Sequence, residues 1–366
     1  MILMNDFKAE PVELRDAMLR SVAKVIDSGW YVLGNAVENF ETEWAAICGV
    51  AHGAGVGNGM DAIELALTAL DIGSGDEVIT TPMTAFATVL AIIRAGATPV
   101  LADIDPDTAL LSVASARRCI SDKTKAVLLV HLYGQMRDMD KWRAFCDECG
   151  IALIEDCAQA HLASWNGVRA GAHGIAGAYS FYPTKNLGAL GDGGILVTNN
   201  AALGQRVKCL RNYGQSERYH HPKLGMNSRL DEIQAAILSE RLKWLDEFTK
   251  RRRAIATSYW NEIRNPQVTK LAEPQEEAAH VHHLFCLTSS KREQLQTFLW
   301  QQGIQTLIHY PIPVHRQEPC LAIKRDPTGL ANSETHANTC LSLPCHPQMT
   351  DADVMRVVEF VNAWAE

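Results

Sequence analysis

Gly177-Ala178-Tyr179-Ser180-Phe181-Tyr182-Pro183-Thr184-Lys185-Asn186-Leu187-Gly188 begins as an apolar run and comes to a lysine, and Gly191-Asp192-Gly193-Gly194 follows at once. The run reads as a strand, and Lys185 stands where the strand gives way to glycines. A lysine so placed is a reactive amine rather than a solvated charge. Upstream, Ile154-Glu155-Asp156-Cys157-Ala158-Gln159-Ala160 puts an acid at the end of a second apolar run.

From about residue 50 to 200, short apolar runs alternate with helix-like stretches. The runs are at 77–80, 99–102, 126–131, 151–154, 177–181 and 194–198. They lack polar alternation, which suits strands buried on both faces. Helices are predicted between several of them, over 85–95 and 139–149. Strands separated by helices imply an α/β fold with a mostly parallel sheet. From 227 to 260, Leu230, Ile233, Ile237, Leu238 and Leu245 recur at helical spacing and predict one long connecting helix. The remainder, with apolar runs at 283–287 and 305–308 and helices after Ser290 and Thr350, reads as a smaller α+β unit. The expected division is a large unit over 1–245 with an N-terminal arm, and a small one over 246–366.

The chain has 366 residues, enough for two domains, with ordinary hydrophobic content. A net charge of −8 argues against a general nucleic-acid binder. The one basic block, Lys250-Arg251-Arg252-Arg253, is predicted to be a solvated helix face. No apolar run approaches the ~20 residues that span a membrane, and no secretory leader is visible, so the expected compartment is the cytoplasm. The ten cysteines are scattered. Cys146 and Cys149 end an amphipathic helix that Gly150 stops, and a second ligand pair at zinc spacing is missing. Buried, reduced thiols and no metal are expected.

Lys185 and Asp156 together point to pyridoxal phosphate. That cofactor needs an amine to hold its aldehyde as a Schiff base, an acid at its pyridine nitrogen, donors for its phosphate, and flat or apolar groups beside its ring. An aspartate at the carboxyl end of a buried strand faces the crevice where open α/β sheets bind ligands. A pyridinium would pair its charge through a charge-assisted hydrogen bond. Alone, Asp156 reads more readily as a cap on the next helix; Lys185, one strand later, reverses that. Gly57-Asn58-Gly59-Met60-Asp61 is a glycine turn running into a helix, a start that favours anions. By itself it reads as readily as a plain helix cap. The amides of Met60 and Asp61, and the hydroxyl of Ser180, are candidate phosphate donors.

These segments resemble the sugar aminotransferases of the DegT/DnrJ/EryC1/StrS family over nearly the whole chain. The matching stretches include 29–34, 57–62, 75–79, 155–160, 180–194 and Asn227-Ser228-Arg229-Leu230-Asp231-Glu232-Ile233-Gln234-Ala235-Ala236. The resemblance implies the aspartate aminotransferase type of fold (fold type I). It implies Lys185 as the Schiff-base lysine, Asp156 as the pyridine partner and Gln159 as donor to the ring hydroxyl. It implies Ser180 with Gly59, Met60 and Asp61 as the phosphate cradle. Asn227 resembles a residue that reaches the phosphate in the neighbouring subunit, which implies a homodimer with shared active sites. Two positions depart from the family. Met60 replaces a Thr or Ser, losing a side-chain contact to phosphate. In Thr84-Ala85-Phe86-Ala87-Thr88, Ala85 stands where the ring-stacking aromatic belongs; Phe86 either stacks instead or points into the core.

Tyr182 and Asn186 to Asp192 are similar to members acting on 3-keto nucleotide sugars, as are Ile308-His309-Tyr310-Pro311 and Asn212 to His221. Tyr31, Tyr182, His309 and Tyr310 are the candidate sugar contacts. The resemblance thus implies transfer of an amino group from L-glutamate to a 3-keto nucleotide hexose, with a dTDP-linked 6-deoxy sugar first. A UDP-linked 3-keto N-acetyl sugar or uronate stands second, and a 4-keto sugar third. A sugar dehydratase of this fold would carry histidine in place of Lys185. A non-catalytic regulator would not need the Lys185, Asp156 and Gln159 set. A nicotinamide oxidoreductase would need a glycine that Met60 displaces.

Overall fold

The structure, a computed structural model, describes residues 1–365. Its strands are β1 (His52–Val56), β2 (Glu77–Thr80), β3 (Thr98–Leu101), β4 (Thr124–Val130), β5 (Ala152–Asp156), β6 (Ser164–Trp165), β7 (Val168–Arg169), β8 (Ala176–Ser180), β9 (Gly194–Thr198), β10 (Thr269–Lys270), β11 (Phe285–Thr288), β12 (Lys324–Arg325) and β13 (Cys340–Leu343). The helices are α1 (Val12–Ser28), α2 (Asn35–Cys48), α3 (Gly59–Ala69), α4 (Phe86–Arg94), α5 (Val113–Arg118), α6 (Met139–Cys149), α7 (Ala201–Leu210), α8 (Glu232–Leu242), α9 (Leu245–Glu262), α10 (Arg292–Gln301), α11 (Ala331–Thr339) and α12 (Asp351–Ala363).

Eight strands form one sheet in the order β1-β9-β8-β5-β4-β2-β3-β12. Only β9 runs against its neighbours β1 and β8; the other pairings are parallel. The six predicted strands of this sheet are present. Both faces are buried, as the unbroken apolar runs require: Val127, Leu129 and Leu153 join one core cluster, while Ala126, Leu128 and Ile154 join the other. Strand β1, His-Gly-Ala-Gly-Val, escapes a hydrophobic reading because two glycines dilute it. It is buried by α2 and by Leu230, whose Cβ would be 3.0 Å from a Cβ built on Gly55.

A second sheet, β10-β11-β13, packs with α9, α10 and α12 around its own core. The stretch 305–308, read as a strand, makes only a bridge from Leu307 to Ser342. Two segments cross between the sheets. Ile2 bridges Ile304, and β12 adds itself to the edge of the large sheet beside β3.

The expected long helix is two. α8 ends at Leu242, and Trp244 bonds back to the Arg241 carbonyl three residues earlier. The tightened turn lets Trp244 and Phe248 pack onto the α1 cluster of Leu14 and Met18. The basic block of α9 is also not a solvated face. Arg252 is buried and donates to the carbonyls of His282, His283 and Cys345. It pins the segment entering β11 to the segment leaving β13, so its charge is spent on backbone oxygens.

Candidate active site

Register places the key segments at one edge. β5, β8 and β1 run the same way, pairing Asp156 with Ala178, Ser180 with Gly194, and Val56 with Gly194. Their carboxyl ends therefore share one edge, and the loops after them meet there: 57–61, 157–163 and 181–193.

Asp156 ends β5, 6% exposed. Its Oδ2 accepts from Thr88 Oγ1 at 2.8 Å, and its Oδ1 from the Ala158 amide at 3.1 Å. Thr88 in turn meets Thr84 Oγ1 at 2.7 Å. A chain of hydroxyls from the start of α4 thus holds the carboxylate in place. Thr88 lies inside the quoted stretch 84–88, but its role depends on contact with a residue 68 positions on.

Lys185 is half-buried, and its amine has no hydrogen-bond or ion-pair partner among the described residues. Burial pushes its pKa down to about 8, against the opposing pull of the Asp156 charge. Three imidazoles lie within its field: His161, His283 and His309. Burial first, and then the Lys185 charge, lowers each: His161 to about 3, His309 to about 4, and His283 well below its ordinary value. The sequence reading named only His309 of these. His161 sits in a box of Trp44, Tyr179 and Phe181, with ring centroids 5.6, 5.3 and 5.8 Å away.

Gln159 is buried, accepts from the Tyr133 amide at 2.6 Å and points Nε2 at the Tyr310 hydroxyl, 3.4 Å away. Burial and the Asp156 charge raise Tyr310 to about 12, so it stays a neutral phenol. Asp156, Gln159 and Tyr310 therefore form one group. His309 joins it through its carbonyl, which accepts from Tyr133 Oη at 2.5 Å, while its Nδ1 meets Ser342 Oγ at 2.9 Å.

The glycine turn is pressed onto Ser180: a Cβ on Gly59 would lie 2.7 Å from Ser180 Cβ. Gly59 is the first residue of α3, with Asn58 as its cap. Asn58 Oδ1 takes the Asp61 amide at 2.8 Å, and Asp61 Oδ2 takes the Ser228 hydroxyl at 2.6 Å. Asp61 is thus engaged within the chain. The amides of Gly59 and Met60 are the open donors at this helix start, beside the Ser180 hydroxyl.

Phe86, first residue of α4, is 37% exposed, which excludes the core alternative. Asn227 is exposed and bridges Asn212 through its backbone. Tyr182 is also exposed, and its amide meets Ser180 Oγ at 3.3 Å. Tyr31 is exposed on the α1–α2 loop, with its hydroxyl 3.5 Å from the Ile26 carbonyl and its own carbonyl accepting from the Glu232 amide. Among the described residues, no hydrogen bond or ion pair ties Tyr31 or Asn227 to the Lys185 group.

The model of the DegT/DnrJ/EryC1/StrS aminotransferase family matches residues 12–362. A dTDP-3-amino-3,4,6-trideoxy-alpha-D-glucose transaminase of Streptomyces venezuelae is 43% identical over 99% of this chain and 95% of its own. A UDP-N-acetyl-3-dehydro-alpha-D-glucosamine 3-aminotransferase of Acidithiobacillus ferrooxidans is 39% identical over 99% of this chain and 97% of its own. Among solved structures, S. venezuelae DesV in complex with a ketimine intermediate superposes with a TM-score of 0.96 at 42% identity, covering 100% of this chain and 98% of that one.

Proposed function

The chain belongs to the DegT/DnrJ/EryC1/StrS aminotransferase family, a pyridoxal phosphate-dependent group, and we propose that it moves the amino group of L-glutamate to carbon 3 of a nucleotide-linked 3-keto hexose. The observation that carries the reading is the half-buried Lys185 amine, without a hydrogen-bond partner among the described residues and within the field of an Asp156 already held by Thr88. A dTDP-linked 6-deoxy sugar is the first substrate choice, supported by the S. venezuelae relative. The A. ferrooxidans relative favours a UDP-linked N-acetyl sugar as the second. A product bound for a surface polysaccharide or a glycosylated metabolite fits either. No helix among the described residues is long and apolar enough to cross a membrane, which fits a cytoplasmic enzyme.

The residues present fit the cofactor. Lys185 would tether it, Asp156 would meet its pyridine nitrogen, and Gln159 Nε2 its ring hydroxyl. The Gly59 and Met60 amides and Ser180 would cradle its phosphate, with Asp61 orienting the turn through Asn58 and Ser228. Phe86 would cover its ring. When bound, the cofactor supplies an electron sink that acidifies the amino donor's α-carbon. Lys185, once released, takes that proton on Nζ and returns one when the keto sugar is aminated. Its lowered pKa keeps a useful fraction unprotonated near neutrality. Tyr310, His309 and Tyr182 would face the sugar. Asn227 and Tyr31, exposed and unengaged with the Lys185 group, fit service to a second copy of the chain, so the enzyme would act as a homodimer. The units 1–245 and 246–366 would carry the cofactor and close over the sugar, respectively.

The test is a panel of keto nucleotide sugars offered to the aminated form of the enzyme, with mass and NMR assignment of each product. Amination at carbon 3 is expected. Amination at carbon 4 alone would sink the regiochemistry.

A further inference from the structure

Folding brings together a set of soft donors that the chain keeps apart. Cys286 lies in β11, the middle strand of the small sheet, and Cys340 opens β13 beside it. His336 stands in the last turn of α11, just before Cys340. One ring nitrogen of His336 and the sulfurs of Cys286 and Cys340 all lie within 4.8 Å of one another. All three residues are buried, and the group contains no carboxylate. Cys286 is far from the other two in sequence, so no local spacing betrays the set.

Strand register limits what the two thiols can do. Cys286 pairs with Ser342 and Thr288 with Cys340, so the cysteines share a face as diagonal neighbours. Diagonal Cα atoms in such a ladder are about 7–8 Å apart, and a disulfide does not form beyond about 7 Å without backbone movement. A cation with bonds to sulfur of about 2.3 Å spans the wider gap. The thiol contacts to oxygen are long: Cys286 Sγ to the Leu287 carbonyl at 3.6 Å, and Cys340 Sγ to the His309 carbonyl at 3.8 Å. A thiol is a weak donor, so little is lost when its proton leaves.

Tyr133 Oη lies 2.8 Å from His336 Nε2 and gives its one proton to the His309 carbonyl, so the oxygen is left to accept. It offers the fourth donor of a tetrahedron. Arg292 donates to the Ala337 carbonyl and steadies the turn between His336 and Cys340. Two thiolates balance a divalent charge, so the filled site is neutral within the apolar cluster of Met83, Leu132 and Leu284. Hard ions want oxygen ligands, whereas sulfur with imidazole suits Zn²⁺. Among the described residues His131, Glu155 and Cys157 also cluster. There Glu155 engages His131 and the amides of Gly171, His173 and Gly174, which leaves its carboxylate no lone pair for an ion.

We propose that Cys286, Cys340 and His336, with Tyr133 on the fourth side, bind a zinc ion that fastens the last turn of α11 to the small sheet. Binding breaks two S–H bonds, forms two zinc–sulfur bonds and releases two protons to water. Tyr133 also donates its amide to Gln159, so the ion is one residue removed from the Gln159–Tyr310 pair.

The test is metal content and cobalt spectroscopy on the full chain, purified without a histidine tag. Elemental mass spectrometry should find about one zinc per chain, as purified or after exposure to Zn²⁺. Protein stripped by a chelator should take up Co²⁺ and show a thiolate-to-cobalt charge-transfer band with the strong visible bands of a tetrahedral site. X-ray absorption of the zinc form should show two sulfurs at about 2.3 Å. Cys286→Ser, Cys340→Ser and His336→Gln should each lose the zinc and the cobalt band. Tyr133→Phe should weaken zinc affinity about tenfold, and Cys149→Ser should change neither reading. Substoichiometric zinc after exposure to Zn²⁺, cobalt without a thiolate band, zinc content unchanged in Cys286→Ser, or a Cys286–Cys340 disulfide in peptide maps would each overturn the proposal. Should the ligand variants fail to fold, the cobalt and X-ray spectra of the unsubstituted chain still decide.

Discussion

Lys185 makes its own pH signature. Its pKa is lowered by burial from 10.5 to about 8, so modification of the cofactor-free protein at Lys185 should titrate near pH 8. A midpoint above 10 would show an amine open to water. The folded state binds this proton less tightly than the unfolded chain does. The group therefore adds stability as pH rises from about 8 to 10.5, and none of it is present below 8. A second prediction concerns Asp156. Thr88→Val removes a hydroxyl donor from a buried carboxylate, at about 1 kcal/mol, and should weaken cofactor affinity about fivefold in a fluorescence titration. An unchanged affinity would mean the Ala158 amide suffices. Lys185 and Asp156 were legible in the sequence because each stands where an apolar run stops, a local sign. Thr88 and the His283–Asn186 pair were not, because their partners lie 68 and 97 positions away. A lone buried histidine looks the same in sequence whether it bonds a distant amide or fills a core.

At the scale of elements, the start of α3 depends on how closely its glycine meets β8. In Gly59→Ala the new methyl would press on Ser180 Cβ at 2.7 Å and on Ser180 Cα at 3.1 Å. Backbone cannot yield cheaply, so the turn must lift off the strand. Cofactor affinity should fall by more than about tenfold, because the amides of Gly59 and Met60 and the Ser180 hydroxyl would no longer converge. Equal affinity, measured by equilibrium dialysis, would remove this turn from the phosphate site. Arg252 in α9 gives the matching test for stability. Arg252→Met leaves three carbonyls without a donor and should cost about 2–4 kcal/mol in denaturant unfolding. A solvated arginine would cost almost nothing. Strand identity was readable here because two-faced burial writes itself as unbroken apolar runs. The fate of Arg252 was not, because helical spacing says which residues share a face but not what covers that face.

Over the whole molecule, burial holds many imidazoles neutral. His161 and His280 are lowered to about 3, His309 and His336 to about 4, and His282 and His283 well below 6.5. In the unfolded chain these six take protons near 6.5. Below that value the unfolded state binds more protons, so stability falls as pH drops from 6.5 toward 3 or 4. Acid unfolding followed by circular dichroism should set in below pH 6.5 and take up several protons; a protein stable to pH 4 in that assay would contradict this burial. The order in which the sheet is completed carries a further consequence. Strand β12, at 324–325, caps the edge formed by β3, at 98–101. During synthesis on the ribosome, that edge must wait for some 220 later residues to emerge, with its row of amides and carbonyls unpaired. The nascent chain is therefore most prone to self-association in this interval, and its yield in a cell should depend on chaperones that shield strand edges until the chain is released.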